Sequence, residues 1–306
     1  LRGLRAQNLF SLMETLLYCL CRLLIAGASC VPMRCLGWFG RRAGTVAWWL
    51  DARHRNVALE NLAAAFPEKN ESEIRQIARE HFQRLGETYA SILKTGGMDA
   101  EGIRRIVTFK GCDKIEEIYA ADPDARVVLA IGHFGNFELF LWIKLALPSG
   151  QNWLTTYRAL RQPKLTELML KLREPSGAQL FERNQDADAL KAAMSQPALM
   201  LGLLADQHAG AGGLRLPVFG RTASMSPAPA VMAKRYKCRL FHAACYRTGP
   251  GQWSIKVDDE IPLRENGKLR SSEAITRDII TAQEAAIRRD PANWFWVHNR
   301  WKIGDQ

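Results

Sequence analysis

From Ile103 onward the chain alternates short apolar runs with longer segments of helical period, and this alternation restricts the fold more than any single motif does. Strands are predicted near Val127–Ile131, Trp153–Tyr157, Ala178–Phe181, Ala198–Leu204, Leu240–Tyr246 and Trp253–Val257. Helices are predicted near Asp113–Ala120, Phe137–Leu147, Lys164–Arg173, Asp186–Met194, Pro227–Tyr236 and Ser272–Arg289. Strands interleaved with helices imply an α/β fold, a central mixed β-sheet flanked by helices. Ligands of such sheets gather beyond the carboxyl ends of the strands. His133, Arg158 and Asp206 each sit just after a predicted strand, so one rim of the sheet can collect all three. Upstream, Asp51–Phe66 and Glu71–Lys94 read as two helices joined at Pro67 and packed beside the core.

The segment Val127–Phe140, VVLAIGHFGNFELF, carries the strongest chemical signal. Its β-branched run predicts a strand buried on both faces, and Gly132 and Gly135 mark the turn that follows. If His133 were itself helical, Glu138 would lie about 140° around the axis from it, at ~100° per residue, and the two could not share a face. His133 is therefore placed before the helix, with Asn136 as candidate N-cap and Glu138 in the first turn, reaching back to the imidazole. A carboxylate on one ring nitrogen fixes the tautomer and raises the basicity of the other, which suits a general base that takes a proton from a hydroxyl. The competing reading is a hydrogen-bonded structural histidine. A metal site built on His133 and Glu138 lacks further ligands at supporting spacing, so no metal is expected.

Thr15–Met33 is a 19-residue stretch with one charge, Arg22, flanked by Arg2, Arg5, Arg34, Arg41 and Arg42. It is just long enough to cross a bilayer, although a central arginine costs roughly 2.5 to 3.5 kcal/mol on insertion scales and Pro32 weakens its end. A span and a shallow or re-entrant anchor both fit, and Trp38, Trp48 and Trp49 follow as interfacial aromatics would. A buried core helix and a cleavable signal peptide are the rival readings; an uncleaved anchor on the cytoplasmic face is preferred. The expected organisation is a membrane-anchoring helical segment over residues 1–50 and an α/β domain over 51–306.

A net charge of +11 favours anionic surfaces, acidic carrier proteins or phosphorylated substrates. The basic residues are scattered, with no zinc-finger spacing and no RNA-binding aromatic signature, which argues against nucleic acid. Seven cysteines, an odd number without a C-x-x-C pair, suggest reduced and mostly buried thiols. There is no G-x-S-x-G elbow for a serine hydrolase, and the Gly210, Gly212, Gly213 loop lacks the ending of a phosphate-binding P-loop.

The string GHFGNFEL resembles the H-x4-D/E motif of glycerolipid-type acyltransferases, in the form found in the lipid A biosynthesis (lauroyl/myristoyl) acyltransferase family. Other landmarks follow in family order: RHRNVALENLAAAFPE (53–68), TYRALRQP (156–163) for Y-R-x-x-x-N-P, ADQHAGAGGLRLPVFGR (205–221) for D-Q-D and P-F-F-G, and NWFWVHNRWK (293–302) for W-x-W-x-H-x-R-W-K. The resemblance spans nearly the whole chain. It departs at His208, where D-Q-D has its second acid, at Gln162, which stands for asparagine, and at Val218, which stands for phenylalanine. These changes place the acceptor's identity in doubt and leave the dyad untouched.

The resemblance implies an enzyme at the cytoplasmic face of the inner membrane. It would move a fatty acyl chain from acyl carrier protein or acyl-CoA to a hydroxyl of a lipid A precursor or similar glycolipid, without a cofactor. His133 is assigned as general base and Glu138 as its orienting partner. Arg158 is expected to contact the oxyanion or a substrate phosphate, with Arg161 second to it; Asn136, Asp206 and Gln207 are expected to bind substrate. The aromatic cluster Trp294, Phe295, Trp296 and Trp301, with His298 and Arg300, reads as a packed C-terminal cap. Rivals are the same chemistry on a phosphatidylinositol mannoside or aminolipid, a lipid hydrolase in which His133 activates water, and a non-enzymatic membrane-binding protein.

Overall fold

A computed structural model describes residues 2–147 and 150–302, with side chains from residue 11 onward in the first helix; Arg2 and Arg5 therefore lie outside the described side chains. Four helices come first: α1 (Arg2–Cys30), α2 (Met33–Leu50), α3 (Ala52–Ala65) and α4 (Glu71–Thr95). Then follow α5 (Ala100–Arg104), β1 (Val107–Lys110), α6 (Asp113–Ala121), β2 (Arg126–Ile131), a 3₁₀ stretch (Phe137–Ala146), β3 (Asn152–Tyr157) and α7 (Pro163–Arg173). The remainder comprises β4 (Gln179–Glu182), α8 (Ala187–Met194), β5 (Leu199–Leu204), β6 (Leu214–Val218), β7 (Arg221–Met225), α9 (Ala228–Arg235), β8 (Arg239–Gly249), β9 (Gln252–Glu260) and α10 (Ser272–Arg289).

Seven strands form one mixed sheet in the order β1-β9-β8-β2-β5-β3-β4, parallel except between β8 and β9. The α/β architecture is as the alternation predicts. Strand β2 lies at the centre, and its unbroken apolar run is accounted for by burial on both faces. Val127, Leu129 and Ile131 pack into one core with α6 and the 3₁₀ stretch, while Val128 and Ala130 pack into another with α9 and α10. A third core joins α2, α3 and α4 to α10 and the C-terminal tryptophans.

Two elements escape the periodicity. Strand β1 is a four-residue edge strand, too short to show a pattern, and the β6–β7 hairpin contains Pro217, which argues against a strand when read from sequence. The segment predicted as a helix over Phe137–Leu147 is a 3₁₀ helix. Three residues per turn align Leu139 with Trp142 and Phe140 with Ile143, and these four are the residues buried against the sheet. Asn136 precedes it, as expected, but its side chain caps nothing.

The first 50 residues contain two different helices. In α1, residues 11–30 are long and apolar enough to cross a membrane, with mean hydropathy 1.5 and few buried residues. Helix α2 instead lies tightly on α4. Gly40 and Gly44 approach Gly86 and the backbone of Phe82 so closely that a Cβ at any of the three glycines would overlap main-chain atoms. Cys112, Cys238 and Cys245 are buried, whereas Cys19, Cys30 and Cys35 are exposed and Cys21 is half-buried, a correction to the expectation of mostly buried thiols. The apolar N-terminal stretch that holds these four has little protein around it.

Candidate active site

Register brings the site together. In the parallel pair β2–β5, Ile131 stands opposite Leu204, so the residues two positions beyond each, His133 and Asp206, emerge side by side at the carboxyl end of the sheet. His133 Nδ1 lies 2.7 Å from Asp206 Oδ1, and the backbone N–H of His133 donates to Asp206 Oδ2 at 2.8 Å. Trp294 Nε1 donates to the same Oδ2 at 2.8 Å. The imidazole is therefore held as the Nδ1–H tautomer, which leaves Nε2 as the acceptor. The side-chain amide nitrogen of Gln207 stands 3.4 Å from that Nε2.

Electrostatics agree with the geometry. Burial disfavours charge on the His133 ring, but the Asp206 carboxylate, by charge and hydrogen bond, outweighs it with a smaller contribution from Glu138, and the pKa is raised above its ordinary value. Burial likewise opposes charge on Asp206, yet the His133 ring, the Trp294 N–H and the His133 backbone N–H together hold its carboxyl at about 2. The pair is an imidazole backed by a fixed carboxylate, which stabilises the imidazolium formed when the ring takes a proton.

Glu138 takes a different place from the one the spacing suggested. Its carboxylate makes a two-pronged ion pair with Arg173 at the end of α7, at 3.0 and 2.5 Å, and no hydrogen bond joins it to the imidazole among the described residues. The orienting hydrogen bond on His133 comes from Asp206, which sequence reasoning had grouped with substrate contacts. Sequence alone offered one hint: Asp206, like His133, directly follows a fully apolar strand. Asn136 is completely enclosed, and neither amide atom finds a partner among the described residues. Arg158 and Arg161 lie in the loop beyond β3, at the same rim, exposed and without side-chain hydrogen bonds among the described residues. The structure thus joins His133, Asp206 and Gln207 directly, puts Glu138 within electrostatic reach, and leaves the two arginines peripheral.

The C-terminal aromatic segment both packs and touches the site. Gly135, at φ +61°, lets the motif loop press on β8, and its N–H donates to the Asn293 carbonyl at 2.8 Å. Phe295 and Phe137 flank the imidazole at ring-centroid distances of 5.9 and 4.8 Å. Asn61 on α3 donates to the carbonyls of Trp296 and His298, both at 2.8 Å, tying two of the sequence landmarks to each other. Burial lowers the His298 pKa, and its Nε2 accepts from the backbone N–H of His208 at 3.2 Å.

Beside the dyad, α2 and α4 enclose a groove of about 760 Å³, lined by Phe39, Ala43, Ala47, Leu85, Leu93 and Val297 among others. Leu85 and Phe295 line both this groove and the narrow cleft that holds His133. The volume lies within the usual range for small-ligand pockets, and the lining is apolar. No cluster of three or more His, Cys, Asp or Glu side chains suited to a metal occurs among the described residues.

Fold and sequence together place the protein among the acyltransferases. The family model for bacterial lipid A biosynthesis acyltransferases matches residues 6–303, and the chain belongs to that family. A search of curated proteins finds no match.

Proposed function

We propose that the protein transfers a fatty acyl group from a thioester donor, acyl carrier protein or acyl-CoA, to a hydroxyl of a lipid A precursor at the cytoplasmic face of the inner membrane. The observation that carries this reading is the His133–Asp206 pair at the adjacent ends of β2 and β5, beside an apolar groove. His133 Nε2 removes the proton from the acceptor hydroxyl as its oxygen attacks the thioester carbonyl. The tetrahedral oxyanion collapses, the C–S bond breaks, and the departing thiolate receives the proton from the imidazolium. Asp206 holds the ring and stabilises its charged form. The acyl chain lies in the groove between α2 and α4. Gln207 meets the reacting groups; Glu138 acts on His133 through its charge and fixes Arg173 nearby. Arg158 and Arg161 attract the anionic headgroup or donor at the rim. The exposed apolar face of α1 anchors the enzyme, and the basic surface draws an acidic carrier protein.

The test is incubation of the purified protein with labelled acyl carrier protein or acyl-CoA and a tetra-acylated lipid A precursor, alongside His133→Ala and Asp206→Asn. Labelled glycolipid that disappears with His133→Ala supports the transferase. Free labelled fatty acid without glycolipid would overturn it in favour of a hydrolase, and label on a phosphatidylinositol mannoside or an aminolipid alone would reassign the acceptor.

A further inference from the structure

Helices α2 and α4 border a second space besides the apolar groove. It is an open hollow of about 510 Å³, and the two spaces share no lining residue. Its wall on α4 includes Ser72, Arg75, Gln76 and Arg79, spaced i, i+3, i+4 and i+7, so one helix face presents all four. Both arginines are exposed, and neither makes an ion pair or a side-chain hydrogen bond among the described residues. The carboxylate in the lining, Glu80, is already taken, by Arg41 at 2.8 and 3.0 Å and by Arg84 at 2.9 Å. Two like charges one turn apart repel, and an anion bound between them removes that repulsion.

The wall on α2 ends in Trp49, which is 65 % exposed. Trp38, Arg42, Thr45 and Trp49 follow one another at i, i+4, i+7 and i+11, which sets them in one stripe along the helix. Trp38 is also exposed, and the Arg42 guanidinium lies 5.1 Å from its ring centroid. Exposed indoles among basic side chains suit the headgroup level of a bilayer, where the ring meets hydrocarbon and the charge meets phosphate. Only Val31 and Pro32 separate α2 from α1, the helix long and apolar enough to cross a membrane. An acidic protein would match the arginines but gives no reason for an indole stripe to continue from that helix.

We propose that the hollow docks an anionic membrane phospholipid, its phosphate held between Arg75 and Arg79 with Ser72 and Gln76 donating hydrogen bonds, and its glycerol and upper acyl chain against Trp49. The site is separate from the transfer site and does not rest on the roles of His133 and Asp206. Since α2 and α4 meet through the backbones of Gly40, Gly44 and Gly86, a lipid held in the hollow fixes the neighbouring groove relative to the bilayer.

The test is native mass spectrometry of the full chain released from neutral detergent micelles, titrated with phosphatidylglycerol or phosphatidylcholine. Phosphatidylglycerol is expected to fill one saturable site, and phosphatidylcholine to bind more weakly. Arg75→Gln and Arg79→Gln should each weaken phosphatidylglycerol binding about fivefold, the scale of one basic residue at an anionic lipid surface. Trp49→Ala should weaken it with the charge unchanged. Lys110→Gln combined with Lys268→Gln removes the same charge from exposed positions outside the hollow and should leave the site intact. Melting temperatures confirm that the variants fold. Unchanged affinity in the arginine double variant, an equal loss in the lysine double variant, or equal affinity for phosphatidylcholine would overturn the proposal. Loss of acyl carrier protein binding in the arginine double variant, with lipid binding retained, would overturn it in favour of a protein partner.

Discussion

At the scale of single residues, the partner of His133 decides the chemistry. The imidazole serves as base only when neutral, and its raised pKa means that activity is lost as pH falls through a value above 6.5, the ordinary value for histidine. His133→Ala should reduce transfer by roughly 10² to 10⁴, the usual contribution of a positioned base. Asp206→Asn removes the largest influence that raises the pKa, so the acid limb of the rate profile should move to lower pH while the plateau falls; a limb that stays in place would show that Asp206 does not set the titration. Glu138→Gln should shift the limb less, because Glu138 is the weaker influence. Its larger effect belongs to the ion pair with Arg173, whose side chains are each only 17 % exposed. A double-mutant cycle over Glu138→Gln and Arg173→Gln, read by denaturant unfolding, should give a coupling of about 1 to 3 kcal/mol. The sequence displayed His133 and Glu138 together because they are five residues apart; it hid the bond to Asp206, 73 residues away, because strand register creates that proximity.

At the scale of elements, the α2–α4 contact shapes the groove. Gly44 faces the Phe82 carbonyl and Gly40 faces Gly86, so the two backbones approach as closely as they can. Gly44→Ala is expected to destabilise the protein by about 3 kcal/mol, since the methyl group must displace main chain and not a flexible side chain. Thermal unfolding checks this, and an unchanged midpoint would show that the helices part without cost. Helix α4 itself was readable from its helical period, and the structure adds a capping box at its start, Asn70 with Glu73 at 3.1 and 2.9 Å. The 3₁₀ geometry after Asn136 was not readable, because an apolar ten-residue run fits either helix until the surface it must cover is known.

For the molecule as a whole, α1 is tied to the rest of the chain near its middle and at its carboxyl end, and its other side is bare. Glu14 accepts a hydrogen bond from the backbone N–H of Lys164 at the start of α7, at 2.8 Å, and Lys94 Nζ donates to the carbonyls of Ser29 and Val31, both at 2.8 Å. Leu16, Leu20 and Leu23 are all more than half exposed, as are Trp38 and Trp49 on α2. Replacing the three leucines by glutamine should weaken membrane association by roughly 2 kcal/mol per residue while leaving the fold intact. Flotation with anionic vesicles would show the protein released, and co-flotation at the level of the unmodified chain would move the anchor elsewhere. With a net charge of +11, residual binding should decline as salt rises.

Local period and contiguous motifs were enough to give the α/β class, the strand buried on both faces, the apolar anchor candidate and the family. Tertiary structure alone decided that Asp206 holds His133, that Glu138 pairs with Arg173, and that Trp294 and Phe295 reach the site from the far end of the chain. Those relations depend on strand order, register and the close approach of glycine-faced helices. They bring together residues whose separation along the chain carries no period from which contact could be read.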